Sequence, residues 1–223
     1  MTTAGSRPPS LVQVGLRNTC AALDERDLAQ LQRSFTAKSF VRLPSFLDSD
    51  LMERALTAMT IDRFHRREHP GVGVELCIEH GAAPVPMLTL ATNSAALFRF
   101  VEQITGCGPI GSFSGRVFAM PADEGFYDDW HTDATHHRLV ALSVNLSPAP
   151  YDGGALQLKH GGDPPLEIMN EVPGDAVLFR LDSELTHRIA PVERGTRFAY
   201  AGWFCSEPDF LASISEPLRA RAR

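Results

Sequence analysis

Cysteine is scarce in this chain of 223 residues and shows none of the paired spacings that cysteine-based sites require. Its four cysteines, Cys20, Cys77, Cys107 and Cys205, are widely separated and include no CxxC pair. Zinc knuckles and disulfide frameworks depend on such pairs, so neither is expected. Scattered free thiols suit a reducing compartment, and we therefore expect a cytoplasmic protein.

Positive charge is also limited. Lys and Arg together number 21 against 27 Asp and Glu, which gives a formal net charge of -6 at pH 7. Binding to a nucleic-acid backbone draws on clustered Lys and Arg side chains that neutralise phosphates. Nucleic acid is therefore not an expected partner.

Long uninterrupted apolar segments are missing as well. The first ten residues lack the apolar core of a signal peptide. Residues 81–98 carry no charge, but Pro84, Pro86 and several polar residues interrupt them. A membrane-spanning helix needs about 20 consecutive, mainly apolar residues. We therefore expect no membrane partner.

The chain contains no internal repeat, low-complexity tract or convincing linker, so we predict one domain. Its length is sufficient to bury a core of its own. Within residues 1–223 we predict a flexible lead-in at 1–15, a helical support region at 16–106, a core of strands at 107–205 and a C-terminal tail at 206–223.

The N-terminal half predicts three helices. Asp24 and Asp48 are typical N-cap residues, and each precedes apolar residues at helical spacing. Asn93-Ser94 predicts the start of a third helix, which Gly106 would end as a C-cap. A short strand is expected at residues 39–43, just before Pro44.

Residues 60–86 give weaker signals and predict loop with short strands. A charged run is followed there by Gly71 and Gly73, which would break a helix. The segment also contains His65, His69 and His80. Histidines in a charged segment are usually solvated, so these three are left out of the predicted site.

After Gly106 the sequence changes to short strands separated by Gly, Pro and Asp. The eight predicted strands are Gly115–Met120, His131–Thr132, Leu139–Leu146, Ala155–Leu158, Leu166–Met169, Ala176–Leu181, His187–Val192 and Arg197–Phe204. Strands at this spacing without intervening helices are typical of a sandwich or jelly-roll barrel. We therefore predict an α+β, mainly β fold: a double-stranded β-helix of the cupin-like type, with the N-terminal helices packed on one face.

A potential metal site begins with His131 and Asp133. Residues two apart on an extended strand point to the same face, so this imidazole and this carboxylate would converge. His187 is the best third ligand, and Arg197 follows it by ten residues. Two histidines and one carboxylate form the ligand set of non-haem iron(II) oxygenases. Asp129 shares the face of His131, and spacing alone does not decide between the two carboxylates.

Four segments in order resemble the iron(II)- and 2-oxoglutarate-dependent dioxygenases, and are most similar to their prolyl 4-hydroxylase-like branch. The segments are His131–Asp133, Asp152–Leu156, Pro173–Phe179 and His187–Arg197, followed by Trp203. Any one segment is weak evidence, whereas the ordered series is specific. The resemblance favours Asp133 as the carboxylate ligand, and its presence favours hydroxylation over halogenation, because related halogenases have a small residue there.

The resemblance implies iron(II), 2-oxoglutarate as co-substrate, and dioxygen. The implied metal ligands are His131, Asp133 and His187. Arg197 is expected to bind the distal carboxylate of 2-oxoglutarate, because a guanidinium is a planar, two-pronged donor. Asn145 lies where the family places a polar residue against the co-substrate. Trp203 shares the strand face of Arg197 and would line the iron side.

Five further residues are predicted to form the substrate wall. They are Arg116, Phe118, Met120, Tyr127 and Asp128. Core or rim packing is an equally good interpretation of the last four. Arg116, like Arg188, would either meet a substrate carboxylate or pair on the surface.

The predicted function is an Fe(II)- and 2-oxoglutarate-dependent dioxygenase that hydroxylates an unactivated carbon of a small molecule and releases succinate and CO2. An amino acid or a natural-product intermediate is the expected substrate. One alternative is a hydroxylase acting on a prolyl or other side chain of a protein. The other is a cupin-like metal-binding module or isomerase that does not use 2-oxoglutarate, for which Arg197 would be dispensable.

Overall fold

A computed structural model describes residues 10–208, apart from residues 22 and 124. Within these residues the helices are α1 (Glu25–Lys38), α2 (Ser49–Ala58), α3 (Val85–Thr92) and α4 (Ala95–Thr105), with a 3₁₀ helix at Ile61–Arg63. The strands are β1 (Val12–Val14), β2 (Thr19–Ala21), β3 (Phe40–Leu43), β4 (Phe64–His69), β5 (Gly73–Ile78), β6 (Ser112–Pro121), β7 (Tyr127–Asp128), β8 (Arg138–Asn145), β9 (Asp152–Gly153), β10 (Leu156–His160), β11 (Leu166–Ile168), β12 (Ala176–Arg180), β13 (Leu185–Ile189), β14 (Val192–Arg194) and β15 (Thr196–Cys205). The helices therefore precede the main run of strands, as the sequence predicts.

The predicted capping residues begin and end three of the helices. Asp24 accepts a hydrogen bond at 2.7 Å from the backbone N–H three residues later, and Asp48 does the same at 2.7 Å. Ser94 caps α4 in the same way, and Gly106 ends it in the left-handed conformation with φ 66°. These bonds satisfy N–H groups that have no partner within the helix. The predictions of α1, α2 and α4 are confirmed.

Helix α3 is not predicted by the sequence pattern. It is only eight residues long and contains Pro86 and two threonines, so it offers few turns in which a helical period can be recognised. Thr92 can be buried because its hydroxyl donates to the Leu88 carbonyl at 2.8 Å. Together α3 and α4 divide the uncharged residues 81–98, and among the described residues no helix is long and apolar enough to cross a bilayer.

The largest sheet is antiparallel and has the order β3-β12-β8-β15-β6-β5-β4, with β7 paired to β5. Strands β3, β4 and β5 come from the N-terminal half, so residues 16–106 supply part of this sheet as well as its helical cover. The charged residues of β4 are mostly exposed, which suits a strand at the edge of a sheet. The predicted support region at 16–106 thus combines helices with the strands β3, β4 and β5, which lie in the segments 39–43 and 60–86 where short strands are expected.

Two smaller antiparallel sheets complete the C-terminal half. One has the order β11-β10-β13, and the other pairs β14 with β9. The predicted strand His187–Val192 is divided between β13 and β14, because Pro191 cannot donate a ladder hydrogen bond. In the described residues the sheets are separate hydrogen-bonded units.

Alternate residues of the long strands pack into two different apolar clusters. On β15, Tyr200 and Phe204 belong to the cluster that includes the buried faces of all four helices. Ala199 and Trp203 pack in a second cluster, which includes residues of β10 and β13. This alternation is the period of two expected for a strand. One face of the large sheet is therefore covered by helices, as predicted, and its other face contacts the smaller sheet.

The structure differs from the predicted flexible lead-in at 1–15. Val12 and Val14 form β1, pair with β2 and are 1% and 0% exposed. Residues 1–9 lie outside the described part, as do residues 209–223 of the predicted tail at 206–223. Ser206 at the start of that tail donates its backbone N–H to the His137 carbonyl at 2.8 Å.

Candidate metal and co-substrate site

Two histidines are placed opposite each other by a pair of backbone hydrogen bonds. The N–H of His131 donates to the His187 carbonyl at 3.1 Å, and the N–H of His187 donates to the His131 carbonyl at 2.9 Å. This isolated bridge is what the structure has in place of the predicted strand His131–Thr132. Residues paired in this way direct their side chains to the same side. The two ring centroids are accordingly 4.3 Å apart.

The carboxylate of Asp133 completes the group. Its Oδ2 lies 3.4 Å from Nε2 of His187 and 3.9 Å from Nε2 of His131. One ligand atom from each of the three residues lies within 4.8 Å of the others. Nδ1 of His131 lies 2.7 Å from the Asp129 carbonyl, which can only accept, so Nδ1 carries the proton and Nε2 keeps its lone pair for a metal.

Two donors hold the Asp133 carboxylate in place. Trp203 Nε1 donates to Oδ2 at 2.8 Å, and Arg138 Nη1 donates to Oδ1 at 3.0 Å. The Arg138 guanidinium lies 3.5 Å from the centre of the Trp203 ring. Burial raises the pKa of Asp133, but the hydrogen bond and charge of His187 and the Trp203 N–H outweigh it and lower the pKa to about 2. The carboxylate is therefore ionised at neutral pH.

The two neighbouring carboxylates, Asp128 and Asp129, are not part of this group of three ligand atoms. Asp129 is exposed and does not join the group formed by His131, Asp133 and His187. Asp128 accepts the backbone N–H of Ile189 at 2.7 Å through Oδ2. Burial raises the pKa of Asp128. Geometry therefore separates the two carboxylates that spacing left open, and Asp133 is the one beside both imidazoles.

A cavity of about 410 Å³ lies beside this group. The five residues predicted as the substrate wall all line it: Arg116, Phe118, Met120, Tyr127 and Asp128. Arg188, the other arginine considered for a substrate carboxylate, does not. It donates to Gln157 Oε1 at 2.7 Å and stacks 4.7 Å from the centre of the Trp130 ring.

Arg197 is buried behind the cavity, with 4% exposure. Its Nη2 donates to Ser143 Oγ at 3.2 Å, whereas its Nη1 has no hydrogen-bond partner among the described residues. Burial lowers the pKa of Arg197, and the nearby Tyr151 and Asp128 oppose that shift. An unsatisfied buried guanidinium is costly, and a carboxylate would supply the missing acceptor.

Asn145 presents a second unsatisfied donor. It is 2% exposed, its Oδ1 accepts the Ser147 N–H at 2.8 Å, and its Nδ2 has no partner in the described part of the chain. On the adjacent strand it lies opposite Ala199, which is 0% exposed. Two orphaned buried donors near one cavity fit an anion rich in acceptor oxygens, such as 2-oxoglutarate.

Gly154 and Tyr151 contribute to the surroundings of Arg197. A Cβ at Gly154 would lie 3.0 Å from Arg197 Cδ, and the φ of 65° is also unfavourable for other residues. Tyr151, which the sequence did not single out, is 7% exposed and donates its hydroxyl to the Asn170 carbonyl at 3.1 Å. The absence of a side chain at Gly154 thus makes space for the arginine.

A buried carboxylate, Glu75, is the main functional candidate that sequence reasoning missed. It lines the cavity at 6% exposure and accepts from Arg116 Nε at 2.7 Å. His69 and His80, which the sequence analysis excluded, also line the cavity, and His69 Nε2 lies 2.9 Å from Glu75 Oε1. The available signal was a single carboxylate inside the otherwise apolar run Val74–Ile78.

His69, Glu75 and Cys77 form a second group with metal-ligand atoms within 4.8 Å of one another. The Cys77 thiol donates to Glu75 Oε1 at 2.9 Å, and burial together with Glu75 raises the pKa of Cys77 to about 12. Cys77 is therefore a neutral thiol, whereas metals bind the thiolate. Arg116 also donates hydrogen bonds to both carboxylate oxygens of Glu75. This group therefore suits hydrogen bonding better than metal binding.

Comparison with known families supports the resemblance stated from the sequence. The model of the 2OG-Fe(II) oxygenase superfamily matches residues 116–205 of this chain. Oxygenases of this family use iron(II), 2-oxoglutarate and dioxygen. This match, which spans less than half of the chain, supports the predicted enzyme class and cofactors. A search of curated proteins found no match.

Solved structures confirm the predicted jelly-roll fold. A prolyl-4-hydroxylase from Pseudomonas putida is 22% identical, with 81% of this chain and 99% of that chain covered and a TM-score of 0.60. A 2OG-Fe(II) oxygenase family oxidoreductase from Burkholderia pseudomallei is 16% identical, with 85% and 97% covered and a TM-score of 0.63. A Trichoplax adhaerens prolyl hydroxylase, in complex with a hypoxia inducible factor peptide fragment, is 16% identical, with 83% and 94% covered and a TM-score of 0.59.

Proposed function

We propose that this chain, an oxygenase of the type that uses iron(II) and 2-oxoglutarate, hydroxylates an unactivated carbon of a small molecule and releases succinate and CO2. The observation that carries the proposal is the pairing of two features around one cavity. Ligand atoms of His131, Asp133 and His187 lie within 4.8 Å of one another. Arg197 has an N–H behind the same cavity that finds no partner in the described part of the chain.

In this proposal His131, Asp133 and His187 hold the iron. The bound metal, with 2-oxoglutarate and dioxygen, supplies the oxidising chemistry. The protein orients the metal-ligand atoms before the metal binds. The Asp129 carbonyl fixes the protonation of His131, and Trp203 and Arg138 orient Asp133. Such outer hydrogen bonds typically change metal affinity or activity about 10–100-fold when they are removed.

Arg197 and Asn145 bind 2-oxoglutarate in this proposal. The free Nη1 of Arg197 and the free Nδ2 of Asn145 are donors that need acceptor oxygens. A guanidinium matches a carboxylate in two parallel hydrogen bonds, so Arg197 takes the distal carboxylate. The small side chain of Ala199, opposite Asn145, leaves room beside both donors. Trp203 lines the metal side of the same strand face.

The size of the cavity favours a small substrate. Ligand pockets usually enclose about 300–1,000 Å³, and this cavity of about 410 Å³ has to hold the co-substrate as well. Phe118 and Met120 offer apolar contact, and Asp128 lies near the metal group. Tyr127, at 44% exposure, lies towards the rim.

A second candidate function is hydroxylation of a prolyl or other side chain in a protein. The fold of the peptide-bound Trichoplax adhaerens prolyl hydroxylase favours this candidate. A short protruding side chain would also fit a cavity of this size. The third alternative, a module without 2-oxoglutarate, leaves the unpaired donors of Arg197 and Asn145 unexplained.

Anaerobic titration tests the proposed function. Iron(II) and 2-oxoglutarate added to the purified protein should give a weak visible charge-transfer band, and Asp133→Ala should abolish it. Oxygen should then produce succinate. Free amino acids and short peptides would next be compared for their ability to stimulate succinate release. A folded, metal-loaded protein that neither binds 2-oxoglutarate nor forms succinate would overturn the proposal.

A further inference from the structure

We propose that Arg116 binds an acidic group of the substrate, so that the substrate of this oxygenase is a small carboxylate rather than a neutral or cationic compound. The inference rests on the proposed function and specifies its substrate class. It is carried by a guanidinium that is fixed in the cavity wall. One of its edges is paired to Glu75, and the described residues offer no acceptor to the other edge.

Arg116 faces the cavity because of its position on β6. Phe118, two residues later, packs in the cluster on the cavity side, whereas Val117 packs with the helices. The Arg116 guanidinium lies 5.4 Å from the centre of the Phe118 ring and 5.7 Å from that of Trp203. Trp203 donates to Asp133. A group bound by Arg116 would therefore lie close to the proposed metal ligands.

Glu75 fixes the orientation of this guanidinium. Arg116 Nε donates to Glu75 Oε1 at 2.7 Å, and Nη2 donates to Oε2 at 3.3 Å. His69 and Cys77 contact the same carboxylate at 2.9 Å each. Burial raises the pKa of Glu75, but the charge and hydrogen bonds of Arg116, together with the hydrogen bonds of Cys77 and His69, hold the pKa below its usual value. The carboxylate stays ionised and holds Arg116 in one position.

The free edge of Arg116 is suited to a second carboxylate. A guanidinium has five N–H donors, and Glu75 takes two of them along the Nε–Nη2 edge. Nη1 has no hydrogen-bond partner among the described residues. The Nη1–Nη2 edge can therefore donate two parallel hydrogen bonds to an acidic group. A buried ion pair is weak evidence for stability, so preorganisation of this edge is the better explanation for placing the pair in a cavity wall.

The charges around the cavity also favour an anion. Three arginines line it, Arg67, Arg116 and Arg138, together with three carboxylates, Glu75, Asp128 and Asp133. These six charges cancel, and Arg197 behind Ser143 leaves one positive charge. A divalent metal and the dianion 2-oxoglutarate cancel each other. A monoanionic substrate would therefore neutralise the remaining positive charge, whereas a cationic substrate would add to it.

Calorimetric titration of benzoate and benzamide tests the role of Arg116. The two probes share a ring and differ in charge, and the protein would be loaded with Zn(II) and saturating 2-oxoglutarate to prevent turnover. We expect benzoate to bind at least about tenfold more tightly than benzamide, because it accepts charge-assisted hydrogen bonds. Arg116→Gln should remove this preference. Equal binding of both probes to the unchanged protein would overturn the proposal.

Arg188→Gln is the matched control, because Arg188 was the other arginine considered from the sequence and points to Trp130 instead. It should keep the benzoate preference. If Arg116→Gln does not fold with Glu75 unpaired, the double variant Glu75→Gln/Arg116→Gln removes both charges together. A preference that survives in the double variant would also contradict the proposal.

The same titration separates this inference from the proposed function. Failure of the metal-loaded protein to bind 2-oxoglutarate would remove the oxygenase assignment itself. Binding of 2-oxoglutarate without any benzoate preference would remove only the role of Arg116. Succinate release stimulated by carboxylic acids and not by their primary amides would support both, whereas stimulation by the amides alone would contradict the acidic substrate.

Discussion

The metal side and the opposite wall of the cavity are built in different ways. His131 and His187 are brought together by reciprocal backbone hydrogen bonds. Arg116 and Glu75 lie on neighbouring strands but are joined through their side chains. Backbone pairing keeps its geometry when neighbouring side chains change, whereas a side-chain pair depends on both residues. The proposed metal site is thus set by backbone pairing, whereas the opposite wall depends on two side chains.

Among the expected effects, the largest should come from removal of a proposed metal ligand. His187→Ala or Asp133→Ala should lower iron(II) affinity and turnover by more than about 100-fold, because even the loss of a residue that supports a ligand costs about 10–100-fold. Metal content by mass spectrometry and succinate release would measure it. Asp129→Asn is the control, since that exposed carboxylate does not join the group. Equal losses in both carboxylate variants would contradict the assignment.

Arg197→Ala should weaken 2-oxoglutarate binding by about 10–100-fold while leaving metal binding intact. A charge-assisted hydrogen bond contributes about 1.5–3 kcal/mol, and Arg197 has little other reason to keep an unpaired Nη1. Anaerobic titration of the charge-transfer band gives the dissociation constant. A parallel loss of metal and co-substrate would show that Arg197 supports the fold rather than the co-substrate.

Trp203→Phe tests the support of the metal carboxylate more finely. The change removes the N–H that donates to Asp133 Oδ2 at 2.8 Å but keeps a ring for Arg138 to contact. We expect metal affinity to fall by about 10-fold, at the lower end of the usual range for outer hydrogen bonds. Manganese(II) titration followed by electron paramagnetic resonance would measure this. Unchanged affinity would mean that Arg138 alone orients Asp133.

The smallest expected effect is on how stability depends on pH, and it comes from the Glu75–Arg116 ion pair. Because Arg116 holds the pKa of Glu75 below its usual value, the pair contributes stability above the unfolded pKa of about 4.3. That contribution is lost as the pH falls through the folded pKa. Urea unfolding at pH 7 and pH 4 should therefore show a smaller pH dependence for Glu75→Gln than for the unchanged chain. Identical dependence would argue against the ion pair.

The sequence favoured two of the proposed metal ligands through a local signal. His131 and Asp133 lie two residues apart, and the N-cap residues Asp24 and Asp48 lie next to the helices they begin. Local spacing translates directly into a shared strand face or a capped helix. The predictions for His187 and Arg197 came instead from the ordered series of motifs and from one strand period.

The opposite wall was not predictable in the same way. Glu75 meets Arg116 because β5 pairs with β6, with Cys77 opposite Phe118. These strands are separated by two helices, and the sequence does not state which edge of the sheet they join. His69 was excluded because its segment is charged, but that segment forms the edge strand β4 beside β5. Long-range register, rather than residue type, decided which side chains reach the cavity.

The single rung of backbone hydrogen bonds between His131 and His187 has a consequence for local opening. The two residues that form these hydrogen bonds also supply the imidazoles. An ion held between the imidazoles would therefore cross-link the two chain segments a second time. Because a ligand stabilises the state that binds it, the amide hydrogens of these residues should exchange with solvent together, and more slowly as metal is added.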